Sequence, residues 1–219
     1  MKAQIGQKAP LLQVSDWVQG EPCVFDQLSG RVVLLEVFQV NCPGCFLYAL
    51  PQAIDLYQRY SDQGLSVFGV ATAFEDFDKN NLENLTCLIE KGEVVGETHR
   101  MLSQQGKLIA DRLPFRIPFP VAMDRLQKRQ ADITQDEIAA FINQRIPNFE
   151  QQTETWQQKI RQQVEHYFQS LTYHAETFEL FDLKGTPSHI LVDKQGLLRD
   201  CAFGTHPNLE ERVLALLRE

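Results

Sequence analysis

The 219-residue chain lacks an apolar run of membrane-spanning length, an excess of basic residues, an internal repeat and a low-complexity tract. Each absence excludes a class of protein. A bilayer-crossing helix needs about 20 consecutive apolar residues, and no stretch approaches that. With 21 Lys and Arg against 29 Asp and Glu, the formal net charge is -8. An acidic surface repels nucleic acid and anionic lipid, so neither nucleic acid nor membrane is expected as a partner. Residues 1–10 also lack the charged start and apolar core of a secretory signal. With Met1 as the natural start, the expected location is the cytoplasm.

Cysteine is scarce as well. The five are Cys23, Cys42, Cys45, Cys87 and Cys201. An odd, scattered set does not make a disulfide framework, and it fits a reducing compartment. There a close cysteine pair is more often catalytic or metal-binding than structural. A structural zinc site wants four N or S ligands. No second C-x-x-C follows Cys42-Pro43-Gly44-Cys45, and Cys87 and Cys201 have no His or Cys at ligand spacing. Redox chemistry is therefore the better reading, and no metal or cofactor is expected.

What is present organises as alternating strands and helices. A 43% hydrophobic content supports one sizeable core, read as one enlarged domain over 1–219. Short apolar pieces at 11–14 and 23–25 flank Gln19-Gly20-Glu21-Pro22, which has turn chemistry and predicts a small hairpin. Gly30 opens a nearly all-apolar run over 31–40, the signature of a strand covered on both faces. After the two cysteines, Phe46, Leu47, Leu50, Ile54, Leu56 and Tyr57 recur with helical spacing up to Gly64. A second buried strand follows over 65–73. Strand, helix, strand is a βαβ unit and implies a parallel pair with a right-handed crossover.

Residues 76–105 are polar with helical periodicity, broken by Pro114, Pro118 and Pro120 before a short apolar strand at 121–123. Residues 125–176 read as an inserted helical segment. Thr134 to Glu137 matches a capping box. Ile138, Phe141, Ile142 and Ile146 form one stripe; Trp156, Ile160, Val164, Tyr167, Phe168 and Leu171 form a second beyond Pro147. Two amphipathic helices packed on the main body are expected. After Gly185-Thr186-Pro187, residues 188–203 alternate as a β-hairpin around Lys194-Gln195-Gly196, and an amphipathic helix over 208–218 closes the chain.

Two cysteines at i and i+3 on the first turn of a helix can touch and form a small-ring disulfide. Free N–H groups and the helix dipole favour negative charge on the first, so Cys42 is the expected thiolate nucleophile. Cys45 lies deeper and would resolve the mixed disulfide. Pro43 suits a first helical position, where its missing N–H goes unused. Glu36 stands in the middle of the apolar strand, six residues before Cys42. A carboxyl there needs a role, and burial raises its pKa, so it suits a proton acceptor for Cys45. Gly-Thr-Pro before an apolar strand predicts a rigid turn that leaves the Thr186 backbone able to pair with an extended peptide. His99, His174, His189 and Cys23 form no matched constellation and read as structural. Cys87 and Cys201 read as small buried hydrophobes.

Together the acid six residues before the first cysteine, the C-x-x-C after a strand and the Gly-Thr-Pro before a hairpin resemble the thioredoxin superfamily, most closely its TlpA-like/redoxin branch. Gly6-Gln7-Lys8-Ala9-Pro10 and Leu28-Ser29-Gly30-Arg31 look like the usual opening of that branch. The resemblance covers about 1–75, 117–124 and 178–219. It implies an α/β fold with a central mixed β-sheet flanked by helices. It also implies Cys42 as the attacking and Cys45 as the resolving cysteine, Glu36 as the buried acid and Pro187 as the cis-proline beside the disulfide, with Thr186 and Pro187 binding substrate. Three departures stand out: Asn41 where the family usually has Trp, Pro-Gly in place of the Gly-Pro of thioredoxin, and Pro51 one place later than usual.

The expected activity is thiol-disulfide exchange with protein or low-molecular-weight thiols and disulfides, served by an upstream reductase or thiol donor. A thiol peroxidase with an antioxidant role is the alternative, although Gln39-Val40-Asn41 lacks the Pro-x-x-x-Thr-x-x-Cys arrangement. A non-enzymatic binding module is the other alternative.

Overall fold

A computed structural model describes residues 2–23, 25–129, 134–170 and 172–219. Val24 and Leu171, both part of the patterns above, lie outside the described residues. In chain order the elements are β1 (Val14–Gln19), β2 (Val32–Phe38), α1 (Leu50–Tyr60), β3 (Leu65–Ala71), α2 (Leu82–Lys91), α3 (Gly96–Gln104), β4 (Val121–Asp124), β5 (Leu126–Lys128), α4 (Gln135–Arg145), α5 (Glu154–Ser170), β6 (Tyr173–Ala175), α6 (Glu176–Leu180), β7 (Ser188–Val192), β8 (Leu198–Phe203) and α7 (Leu209–Arg218).

The chain divides into two compact units, residues 1–126 with 175–219 and residues 127–174. The first unit is built on a six-stranded mixed sheet in the order β1-β4-β3-β2-β7-β8. The βαβ unit is realised as a parallel β2–β3 pair, with Leu34 beside Val67 and Glu36 beside Gly69. β4 continues the parallel part, whereas β7 runs antiparallel to β2 and β8 antiparallel to β7. β2 is buried at all seven positions because it has neighbours on both edges and cover on both faces.

Alternation along β2 sorts its side chains between two cores. Val32, Leu34 and Phe38 join a cluster with Cys45, Phe46, Leu50 and Leu56 of the following helix and Val213 and Leu216 of α7. Val33, Leu35 and Val37 face the opposite cluster, with Ala9, Phe25, Phe181 and Leu183. Among the described residues the expected N-terminal hairpin does not form. β1 instead pairs antiparallel with β4, and residues 25–28 make a 3₁₀ turn. Gly20 explains the exit from β1: its φ is +75°, and a Cβ there would lie 2.7 Å from Pro120. The polar stretch after β3 resolves into α2, capped by Asn81 and ended at the left-handed Gly92, and α3.

Within residues 127–174 the capping box is present. Thr134 Oγ1 accepts from the Glu137 N–H at 3.3 Å, and the Glu137 carboxylate accepts from the Thr134 N–H at 2.9 Å. The apolar stripes of α4 and α5 close on each other: Ile138, Ile142 and Phe149 are buried against Ile146, Ile160, Val164 and Phe168. Phe141 adds an edge contact to Phe168 at 5.0 Å between ring centroids. The core these stripes face is therefore their own.

Asp124, at the end of β4, is fully buried and ties three pieces of the first unit together. Its carboxylate accepts from Thr72 Oγ1 at 2.7 Å and from the N–H groups of Thr177 and Phe178 at 2.7 and 3.1 Å. Burial lifts this carboxyl to about 6, above the ~3.9 of an unfolded chain. The folded state therefore holds its proton more tightly, and the stabilisation this gives, complete below about pH 4, is lost as pH rises through about 6. Asp124→Asn should remove that loss. Urea unfolding from about pH 4 to pH 7 should show the wild type losing on the order of 2 kcal/mol relative to the variant; parallel stability curves would count against it.

Candidate active site

The site grows from the C-terminal end of β2. Phe38 is the last residue of the strand, and the next three carry the chain to Cys42. Helical winding then runs without a break from Pro43 to Tyr60, but residues Cys45–Ala49 form a π-helical turn, in which the Leu50 N–H donates to the Cys45 carbonyl. A π turn accommodates one extra residue in a helix. That accounts for Pro51, one place later than the family pattern: the widened turn absorbs the added residue, and Pro51 falls at the start of the regular α-helix.

Cys42 and Cys45 are paired as a disulfide, with Cα atoms 5.4 Å apart. Cys45 is 0% exposed, whereas Cys42 is half-buried. The Cys45 N–H lies 3.0 Å from the Cys42 carbonyl and 3.3 Å from Cys42 Sγ. A backbone donor aimed at a sulfur favours its anionic form, as does the helix start.

Glu36 is 3% exposed, and among the described residues its Oε1 has no hydrogen-bond partner. Alternation places its side chain with Leu34 and Phe38, on the face of the sheet that carries Cys45. Burial holds this carboxyl well above the usual carboxylate range.

The Thr186–Pro187 peptide is cis, and Pro187 Cδ lies 3.7 Å from where a Gly44 Cβ would stand. The proline thus lies against the residue between the two cysteines. Thr186 Oγ1 donates to Gln39 Oε1 at 3.0 Å. Among the described residues the Thr186 backbone N–H and carbonyl form no hydrogen bond. Cys42, Cys45, Pro187 and Thr186 are brought together at one end of the sheet, with Glu36 one layer beneath on the same face.

Residues 39–41 are held by long-range hydrogen bonds that no local pattern marks. Asn41 Oδ1 accepts from the Glu97 N–H at 2.7 Å, its Nδ2 donates to Asp76 at 2.7 Å, and its backbone N–H donates to the buried Asn80 at 2.8 Å. Beside it the Val40 carbonyl accepts from the buried Thr98 hydroxyl at 2.8 Å. Where the family usually carries Trp, this chain has a polar clamp on the turn into the cysteines. The available signal was the run of Asp and Asn residues at 76–81, which reads as a turn without revealing what the turn grips.

His189 is buried on β7, and Cys201 is half-buried on β8, with its thiol pushed up to about 12 by burial. Cys87, expected to be buried, is half-buried on α2. Among the described residues no three His, Cys, Asp or Glu side chains are placed to hold a metal, and no helix is long and apolar enough to cross a membrane.

Solved structures show the same architecture. A thioredoxin-like superfamily protein superposes with a TM-score of 0.60 at 22% identity, covering 97% of both chains. The fold is thioredoxin-like. A thiol-disulfide isomerase from Corynebacterium glutamicum shares it at a TM-score of 0.58 and 26% identity, covering 96% of this chain and 97% of its own. Among curated proteins, Protein DipZ of Mycobacterium bovis and that of Mycobacterium tuberculosis are each 32% identical over 77 residues. That stretch is 34% of this chain and 11% of theirs, so the chain spans only a small part of those relatives. No family model matches the chain. In this thioredoxin-like fold the cysteine pair lies at the start of the helix after the central strand, facing the cis-proline.

Two outcomes follow from the geometry. Glu36 holds its proton more tightly folded than unfolded, so its stabilising contribution is lost as pH rises through its raised pKa. Glu36→Gln should retain stability that the wild type loses as pH rises above the ~4.3 of a Glu in an unfolded chain, read by denaturant midpoints. Gly96 has φ +54°, and a methyl group there would collide with Asn41 Oδ1. Gly96→Ala should therefore lower stability by about 1–3 kcal/mol in urea unfolding.

Proposed function

We propose that the protein is a thiol-disulfide oxidoreductase in which the Cys42–Cys45 pair exchanges with disulfides and thiols of proteins or small molecules. The observation that carries this reading is the asymmetry of the pair: Cys42 is accessible and receives a backbone donor, while Cys45 is fully buried behind it. In the reduced protein, the Cys42 thiolate attacks a substrate disulfide. One substrate sulfur leaves as a thiolate, and a mixed disulfide forms. Cys45 then loses its proton to Glu36 and attacks Cys42 Sγ, which releases the second substrate sulfur. Two electrons pass to the substrate, and the Cys42–Cys45 disulfide is regenerated. An upstream reductase or thiol donor returns the pair to the dithiol.

Thr186 and Pro187 are the proposed substrate-docking wall. The unpaired Thr186 backbone supports this, because an extended peptide can pair with it beside the disulfide. The domain organisation that accompanies this reading is one thioredoxin-like domain over 1–219, with 125–176 inserted. The free thiols of Cys87 and Cys201 fit a reducing compartment, the cytoplasm.

Reduction of insulin disulfides tests the proposal. Cys42→Ser should lower the rate at least about a hundredfold. Cys45→Ser should accumulate a one-to-one mixed disulfide, visible by mass spectrometry. Undiminished turnover by Cys42→Ser would overturn the assignment.

A further inference from the structure

Within the exchange reaction just proposed, the acid beneath the cysteines must shed its proton before each resolution step, the first included, in order to accept another there. Glu36 has no visible route for that along most of its surroundings. Its neighbour on β3 is Gly69, which carries no side chain, and the helix above presents Cys45 and apolar residues. The remaining neighbour is different. On β7 the residue directly opposite Glu36 is His189. Two positions along, the Leu34–Leu191 pair lies in the same cluster as Cys45, so alternation puts Glu36 and His189 on that face together. Directly opposed side chains have Cβ atoms about 5 Å apart, within reach of each other or of one bridging water.

His189 is buried to the same degree as Glu36, and it connects outward. Its Nε2 lies 2.9 Å from Asp200 Oδ2 on β8. Opposite a carboxylate this nitrogen carries the hydrogen, which leaves Nδ1 as an acceptor. Nδ1 makes no hydrogen bond among the described residues. Asp200 in turn pairs with Arg212 of α7, whose side chain is exposed. The ring of His206 meets the His189 ring edge-on at 4.6 Å. The titratable or charged groups around His189 are thus Glu36 on β2, Asp200 on β8, Arg212 on α7 and His206 in the loop before α7. Burial keeps His189 neutral near pH 7, against the opposing pull of Asp200.

We propose that His189 carries protons between Glu36 and solvent, with Asp200 holding its ring in the accepting orientation. The balance follows the exchange step. Cys45 gives its proton to the Glu36 carboxylate and forms the new S–S bond to Cys42 as the substrate thiolate departs. Glu36 passes the proton to His189 Nδ1, and the imidazolium, held by Asp200, releases it at the Arg212 surface. On reduction of the pair the same path runs inward. His189 touches no reacting sulfur and acts through Glu36.

The test separates attack from resolution. Reduced protein is mixed with 5,5′-dithiobis(2-nitrobenzoate), and release of the coloured thiolate is followed by stopped flow. Attack by Cys42 releases the first equivalent and resolution by Cys45 the second. His189→Gln should leave the first release unchanged, slow the second roughly tenfold and remove an ionisation from its pH profile. Glu36→Gln should slow the second release further, and the double variant should be no slower than Glu36→Gln alone. Should His189→Gln not fold, Asp200→Asn, at the outer end of the path, should give the same pattern. The proposal is overturned by an unchanged second release and pH profile in His189→Gln or Asp200→Asn, or by single effects that multiply in the double variant. A wild type that releases no second equivalent overturns the exchange reading itself, and the relay with it.

Discussion

β2 is held on both edges at once, in parallel register by β3 and in antiparallel register by β7. That double pairing leaves no freedom to slide, because a one-residue slip would send Leu34 and Phe38 to the wrong core and Glu36 with them. Everything at the site inherits its position from this strand. Its C-terminal end delivers Cys42 to the start of the helix, and its alternation decides that the acid lies on the cysteine side. The β7 pairing brings Pro187 and His189 to the same region from far along the chain.

Around that fixed strand, the turn into the motif is secured by polar groups. Gln39 reaches toward the proline loop, and Asn41 and Val40 reach toward the loop after β3 and the start of α3. Each such bond contributes about 1 kcal/mol, and several share one short segment. A bulky aromatic in place of Asn41 would hold this turn by packing. Here directional hydrogen bonds do it: Asn80 and Thr98 are buried partners, Glu97 stands at a helix start, and Asp76 is exposed. Cys42 is left accessible while the backbone that carries it is held still, which is what a nucleophile on a loop-to-helix junction requires.

The features legible from sequence were those written in a few adjacent residues. The 31–40 run announced a buried strand, Cys42 and Cys45 announced their proximity by spacing, and Thr134 to Glu137 announced a cap. The β2–β3 parallel pair followed from the order of elements. What was hidden depends on residues far apart in the chain. The first strand reads as half of a hairpin because its neighbours in sequence are polar turn formers; its partner, β4, is about a hundred residues away. His189 read as structural because nothing in its own sequence neighbourhood shows that it stands opposite Glu36. The clamp on Asn41 joins residues 41, 76, 80 and 97, a set no local pattern marks. The π turn was signalled only by the displaced Pro51.

Residues 127–174 begin on β5 and end on β6, which pair as a two-stranded ribbon. Between those strands the helices satisfy their apolar surface locally. The entropy of closing a longer loop grows only logarithmically, by about 0.6 kcal/mol for each doubling of length. An excursion whose ends already meet and whose middle carries its own core is therefore a near-neutral addition to the sheet that hosts it. Lengthening or shortening it would therefore cost the pairing of β2 with β3 and β7 little.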